Sequence, residues 1–167
     1  MGYSDFSAPA SLSQAKRDFL AAFYRTSDQP DAIDDYLAFL APDVDFIMGL
    51  NAVHGHQGLF QPVRKIRENM WGGVQTRRHQ PHAVFVQDAA GGDGNDDGAR
   101  QLMLHGTVDY GLRNGKTVDA VGWAALVVFA DSDGTSGELK MQRYQVWLDG
   151  APLAKALAEQ AAEQQQQ

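Results

Sequence analysis

The sequence predicts an α+β fold in which short helices come first and long strands follow. Apolar residues before residue 70 recur at helical spacing. Beyond it they gather into four β-like segments, 76–87, 101–113, 116–130 and 138–148. Between the second and third of these lies "RNGK", residues 113–116. Asn-Gly is the preferred two-residue hairpin turn, because both residues tolerate positive φ. Helices segregated from strands argue for an α+β layer architecture. The 167 residues suffice for one domain with a sizeable core. The expected division is a flexible N-terminal arm over 1–10, the domain over 11–150, and a C-terminal helix running into a Gln tail over 151–167.

The elements follow in order. "SLSQAKRDFLAAFYRTSD" places Phe19, Leu20, Ala22, Phe23 and Tyr24 at helical spacing, with Ser11 or Ser13 as N-cap and Pro30 beyond its end. "DAIDDYLAFLAP" reads as a shorter helix from Asp31, stopped by Pro42. "DVDFIMG" is a short strand closed by Gly49. "LFQPVRKIRENMW" is a third helix, with Leu59, Val63, Ile66 and Met70 on one stripe and Arg64, Lys65, Arg67 and Glu68 outside.

A two-residue turn at Asn114-Gly115 fixes a register in which Leu112 pairs with Thr117 and so on outward. One face then carries Leu104, Gly106, Val108 and Tyr110 beside Asp119, Val121, Trp123 and Ala125. It is bulkier and more aromatic than the other, so it is the predicted interior, with Trp123 lying across Gly106 and Tyr110 next to Asp119. In "TRRHQPHAVFV", His79 and His82 are three apart, so a strand sends their rings to opposite faces.

Composition excludes several classes. The net charge of −7 opposes a nucleic-acid surface, which needs a basic stripe. Four of the acids sit in "DAAGGDGNDDGA", expected to be a mobile loop. The absence of cysteine removes disulfides, thiolate metal sites and a Cys nucleophile, and is compatible with a reducing cytoplasm. No apolar run is long enough to span a membrane. The opening residues lack a basic region followed by an apolar stretch, so no secretory signal is expected. "DGNDDG" opens like a calcium loop, but the place of the bidentate Glu falls on Leu104. His54 and His56 in "VHGHQG" sit in a predicted loop with no third ligand nearby, so no metal site is expected.

The chain resembles the nuclear transport factor 2-like superfamily, specifically its SnoaL-like group, with scytalone dehydratase, polyketide cyclases and ketosteroid isomerase as relatives. The resemblance rests on "FLAAFYRTSD", "YLAFLAPDVDFIMG", "GHQGLFQPVRKIRENMW", "RRHQPHAVFV" and "NGK", and covers roughly residues 11 to 148. It implies a cone-shaped, curved antiparallel sheet wrapped around the N-terminal helices, enclosing an apolar pocket. It also implies a homodimer through the outer sheet face and a cytoplasmic location. The ketosteroid isomerase positions fall on Leu20, Met48 and Ala125, so that dienol chemistry is not expected. The scytalone dehydratase positions match better, with its Asp on Asp28 and its first His on His79. Its second His has no match, and Asp109 and Tyr110 lie near that place. The resemblance turns His79 inward rather than His82, and favours Gln142, Tyr144 and Val146 on the last strand.

The candidate catalytic residues are therefore His79 as general acid/base, Asp28 as its orienter, and Tyr110 as a donor to a developing oxyanion. Tyr24, Met48, Asp119, Trp123 and Tyr144 are the candidate substrate contacts. Each has a plainer alternative. His79 and Asp28 either move a proton or only tie the first helix to the sheet. Tyr110 and Asp119 either polarise a carbonyl or form a rim pair. The expected function is a cofactor-free lyase, isomerase or cyclase acting on a small apolar oxygenated metabolite, a polyketide or terpenoid intermediate by resemblance. The alternative is a non-catalytic ligand-binding or dimerisation module.

Overall fold

The computed structural model describes residues 2–57, 61–87, 100–130 and 138–165. The loop expected around Gly91 to Asp97 lies outside the described residues. Helix α1 (Gln14–Ser27) starts at Ser13, whose hydroxyl accepts the Lys16 N–H at 3.4 Å. Helix α2 (Ile33–Ala38) is shorter than expected, because strand β1 (Leu40–Met48) already begins before Pro42. That proline is tolerated near a strand start, where its missing N–H costs no ladder bond. The predicted loop around His54 is partly a strand, β2 (Asn51–His54), folded back on β1. Helix α3 (Pro62–Asn69) uses Pro62 at its first position.

Strands β3 (Val74–Val86), β4 (Gln101–Leu112), β5 (Thr117–Phe129) and β6 (Met141–Leu148) continue the sheet. Its order is β2-β1-β6-β5-β4-β3. All pairings are antiparallel except β1 with β6, so the sheet is mixed at one junction. Helix α4 (Ala151–Gln164) returns across the hairpin, where Gln160 accepts the Asn114 N–H at 3.0 Å and donates to the Gly73 carbonyl at 3.1 Å.

The core forms between α1 and the inner sheet face. Phe23 packs edge-on against Tyr144, with ring centroids 5.0 Å apart, and Tyr24 lies 5.0 Å from Trp123. The inner stripe Leu104, Val108, Tyr110, Val121, Trp123 and Ala125 is buried as the alternation predicts. Trp123 does lie across Gly106: a Cβ there would sit 2.8 Å from its ring.

The hairpin turn differs from its prediction. Leu112 N–H donates to the Lys116 carbonyl at 2.8 Å, so the loop has three residues, Arg113 to Gly115. Only Gly115 has positive φ, at 83°. Such a loop offsets the register by one residue. A bulge in β5 restores it: Tyr110 pairs with Val118, but Val108 pairs with Val121. Ala120 takes the extra place at φ 55°, and its N–H is held by Asp109 Oδ1 at 2.7 Å. The other Asp109 oxygen accepts Gln80 Nε2 at 2.7 Å, so one carboxylate clamps the bulge to β3.

The first ten residues are not a loose arm in the described structure. Ser7 bridges to β3 by accepting the Val84 N–H and donating to the His82 carbonyl, both at 2.8 Å, and Phe6 is buried.

Candidate functional site

The end of α1 and the strands β1, β3, β4, β5 and β6 meet at one cavity of about 30 Å³, room for one or two water molecules. Its walls include Met48, Arg77, His79, Tyr110, Trp123 and Tyr144. Met70 and Leu148 also border it. Strand parity places the polar pair. Arg77 pairs with Tyr110 and His79 with Val108, both inward-facing partners, so Arg77 and His79 point in together. His82 is exposed on the outer face, its ring 3.4 Å from Thr107.

Asp28 caps the end of α1 and turns its carboxylate under His79. The side chains are 4% and 13% exposed. Asp28 Oδ1 meets His79 Nδ1 at 2.5 Å, and Oδ2 accepts the His79 backbone N–H at 2.6 Å. Tyr3 donates its hydroxyl to the same Oδ2 at 2.9 Å. Arg77 Nε stands 3.4 Å from Oδ1. Burial alone would raise the Asp28 carboxyl pKa. The His79 hydrogen bonds and the His79 and Arg77 charges outweigh it and hold the group below its ordinary range. Tyr3 is pushed up to about 12, first by burial and then by the Asp28 charge, so it stays a donor.

An ionised Asp28 makes Nδ1 the protonated nitrogen and leaves the His79 Nε2 lone pair free. Burial lowers the imidazole pKa below 6.5. The Asp28 hydrogen bond pulls it back, but Arg77 and Arg67 add to the lowering. His79 is therefore a neutral base at pH 7, held in one tautomer by a buried carboxylate.

Arg67 corrects the helix reading. Expected on the outer face of α3, it is 1% exposed. Its guanidinium lies 4.5 Å from the Tyr36 ring and donates to the Gln29 carbonyl at 2.9 Å and the Thr26 carbonyl at 3.2 Å. Burial lowers its pKa to about 10, still cationic at pH 7. Arg77 is 6% exposed, lies 4.9 Å from the Trp71 ring, and donates to the Ser27 hydroxyl at 2.8 Å and to the Ser27 carbonyl.

The tyrosines divide. Tyr110 and Tyr144 border the cavity, whereas Tyr24 is fully buried behind His79 and Trp123 and forms no part of the wall. Burial raises all three hydroxyl pKa values, so each keeps its proton. The Trp123 indole N–H is buried without a hydrogen-bond partner. The Tyr24 and Tyr144 hydroxyls are close enough to affect each other's ionisation.

Two sequence expectations fail here, both through bulges. Asp119 is not beside Tyr110. It is exposed, and its carboxylate accepts from Thr117 at 3.3 Å, because the extra residue at Ala120 turns it outward. Gln142 falls in a register shift of β6 and donates to the Asp43 carbonyl at 3.2 Å, so Met141 takes the interior place. His54 pairs with Asp45 at 2.9 Å on an exposed edge. Among the described residues, no group of three or more His, Asp or Glu side chains could hold a metal.

The sequence reading missed Arg77 and Tyr3. Arg77 was legible: two residues before His79 on one strand, it shares that face. Tyr3 carries no local signal, since tertiary contacts of the N-terminal segment, among them the bridge at Ser7 and the Arg25 guanidinium over its ring, bring it to Asp28. A wider groove of about 620 Å³ runs beside Phe19 and Phe39, but its titratable lining groups are the carboxylates Asp18, Asp35 and Glu138, with no histidine among them.

No protein-family model matches the sequence, and no curated protein matches it either. Solved structures do match. A nuclear transport factor 2-like protein of unknown function from Burkholderia pseudomallei superposes with a TM-score of 0.62 at 14% identity, covering 86% of this chain and 97% of that one. The chain has the nuclear transport factor 2-like fold. TerC, co-crystallised with polyporic acid, gives a TM-score of 0.62 at 16% identity, covering 87% and 99% of the two chains. ActVI-ORFA from Streptomyces coelicolor gives 0.58 at 17% identity, covering 81% and 95%. At these identities the likeness concerns the nuclear transport factor 2-like backbone, and the chemistry must be argued from the side chains. No described helix is long and apolar enough to cross a membrane.

Proposed function

We propose that the cavity is the active site of a cofactor-free acid/base enzyme, a lyase, isomerase or cyclase, acting on a small apolar oxygenated metabolite. The observation that carries this is the His79–Asp28 pair. A buried carboxylate at 2.5 Å fixes the imidazole tautomer and leaves a neutral Nε2 beside the cavity. Nε2 takes a proton from a carbon next to a carbonyl. The electron pair moves onto the carbonyl oxygen, and the resulting imidazolium is stabilised by Asp28. Tyr110 and Tyr144, which keep their protons, donate to that oxygen. The imidazolium then returns its proton, either to a leaving hydroxyl, giving elimination, or to another carbon, giving isomerisation.

A second reading is supported by the cavity's size. About 30 Å³ admits only the end of a metabolite, and the site has one imidazole rather than two. A ligand-binding module would need no more. Conversion of oxygenated aromatic and terpenoid candidates by wild type and His79→Ala separates the readings. Under the enzyme reading, His79→Ala loses about two orders of magnitude in rate or more while the fold stays intact. Undiminished turnover in His79→Ala refutes the mechanism, and absence of turnover on every candidate supports the binder.

A further inference from the structure

We propose that the ligand of this cavity carries an ionised oxygen, an enolate or a carboxylate, and that Arg77 receives it. The inference rests on the cavity being the ligand site, but holds for an enzyme or a binder.

Two guanidiniums are buried here at 6% and 1% exposure, Arg77 in the cavity wall and Arg67 against the ring of Tyr36, which lines it. One carboxylate, Asp28, faces them. Asp28 is already committed: Oδ1 to His79 Nδ1, Oδ2 to the His79 N–H and the Tyr3 hydroxyl. Arg77 Nε approaches it only to 3.4 Å and makes no hydrogen bond of normal geometry. Arg67 spends its hydrogen bonds on the neutral carbonyls of Thr26 and Gln29. With His79 neutral, the surroundings of the cavity carry an excess of one positive charge. A buried charge without a counter-ion is costly, and a ligand anion would offset it.

Arg77 itself borders the cavity, together with the hydroxyl-bearing Tyr36, Tyr110 and Tyr144 and the indole of Trp123. No lining residue is acidic. The Trp123 N–H has no partner. The walls offer a surplus of donors and a cation, which is the complement of an oxyanion.

Arg77 and His79 are alternate residues of one strand, so their backbones stand about 7 Å apart and their side chains point the same way. An oxygen held by Arg77 leaves the atoms a few bonds further along the ligand beside His79. The proton that His79 moves would thus lie near the ionised oxygen, not at a remote ring. The apolar remainder of the ligand would reach outward past Met48, Met70 and Leu148.

The test uses matched probes and the whole chain, by calorimetric titration at pH 7. Dimedone, a cyclic diketone ionised at that pH, is compared with its neutral enol methyl ether. Benzoate is compared with benzamide. The proposal expects the anion of at least one pair to bind about tenfold tighter or more, from the usual strength of a charge-assisted hydrogen bond. The pair that shows the preference distinguishes enolate from carboxylate. Arg77→Gln should bring that ratio to about one, and Arg77→Lys should retain part of it. Binding of both members of each pair without preference overturns the oxyanion proposal and leaves the cavity as the ligand site. A preference undiminished in a folded Arg77→Gln overturns the role of Arg77. Failure of all four probes to bind at millimolar concentration overturns the ligand site and the proposal together. Should Arg77→Gln not fold, the wild-type ratio and Arg77→Lys still decide.

Discussion

Replacing Asp28 by Asn tests whether this carboxylate is the electrostatic centre of the site or merely a helix cap. Asn keeps the volume and one oxygen, so it can still accept the His79 N–H or the Tyr3 hydroxyl. It loses the charge that faces Arg77 Nε at 3.4 Å and the tautomer-fixing contact with His79 Nδ1 at 2.5 Å. Breaking a buried ion pair from one side costs about 3–5 kcal/mol, because the remaining charge is left uncompensated. The pair here is long and Arg77 retains its Ser27 contacts, so the lower end, about 3 kcal/mol, is the expected value. For a chain of this size that corresponds to a fall in Tm of roughly 6–12 °C. Tyr3→Phe removes one hydrogen bond to the same carboxylate and should cost about 1.5 kcal/mol, no more than half as much. The pH dependence has a definite sign. The folded carboxyl pKa lies below its unfolded value of 3.8, so Asp28 contributes its stability above that value and loses it as pH falls through the folded pKa. The difference between wild type and Asp28→Asn should therefore be full at pH 7 and shrink only at strongly acid pH. Chemical unfolding gives the stabilities, and the His79 imidazole proton resonance followed with pH gives the second readout. Its midpoint should drop in Asp28→Asn, since the neighbouring anion is gone. A loss below about 0.5 kcal/mol, the scale of neutral surface changes, with an unmoved His79 midpoint would refute the reasoning.

The folded His79 pKa lies below 6.5, so under the enzyme reading the acid limb of the rate profile should have its midpoint below that pH. The same shift makes protonation of His79 favour the unfolded chain, so its contribution to stability weakens as pH falls below 6.5; an acid limb above that value would contradict the neutral imidazole. Gly106→Ala should destabilise by about 1–3 kcal/mol or more, because its Cβ would sit 2.3 Å from the Gln80 carbonyl and 2.8 Å from the Trp123 ring. Since Gln80 adjoins His79, that variant should also disturb probe binding, and wild-type stability in it would show that β3 yields without cost.

The sequence by itself determined most element types, the inner face of the long hairpin and the placing of His79 and His82 on opposite faces. Each depends on a period, 3.6 for a helix or 2 for a strand, and a period is readable wherever it runs unbroken. The odd spacing puts His79 and His82 on opposite faces, and the resemblance decided which of them turns inward. Pairing His79 with Asp28 needed the resemblance as well, since the end of α1 and the middle of β3 are 51 residues apart in sequence. Tertiary structure decided what happens where the period breaks. The three-residue turn ending at Gly115 and the bulge at Ala120 offset each other, so the register far from the turn survives while Asp119 is expelled from the inner face of the hairpin. A bulge depends on which residue can take positive φ and which side chain will hold it, here Asp109, and that contact joins different strands. Burial of Arg67 and Arg77 was likewise decided by tertiary contacts. A guanidinium on a helix or strand reads as solvent-facing until carbonyls from the end of α1 and the rings of Tyr36 and Trp71 close over it. Local sequence specifies which way a side chain points; only the packed chain specifies whether the partners that let a charge be buried stand waiting there.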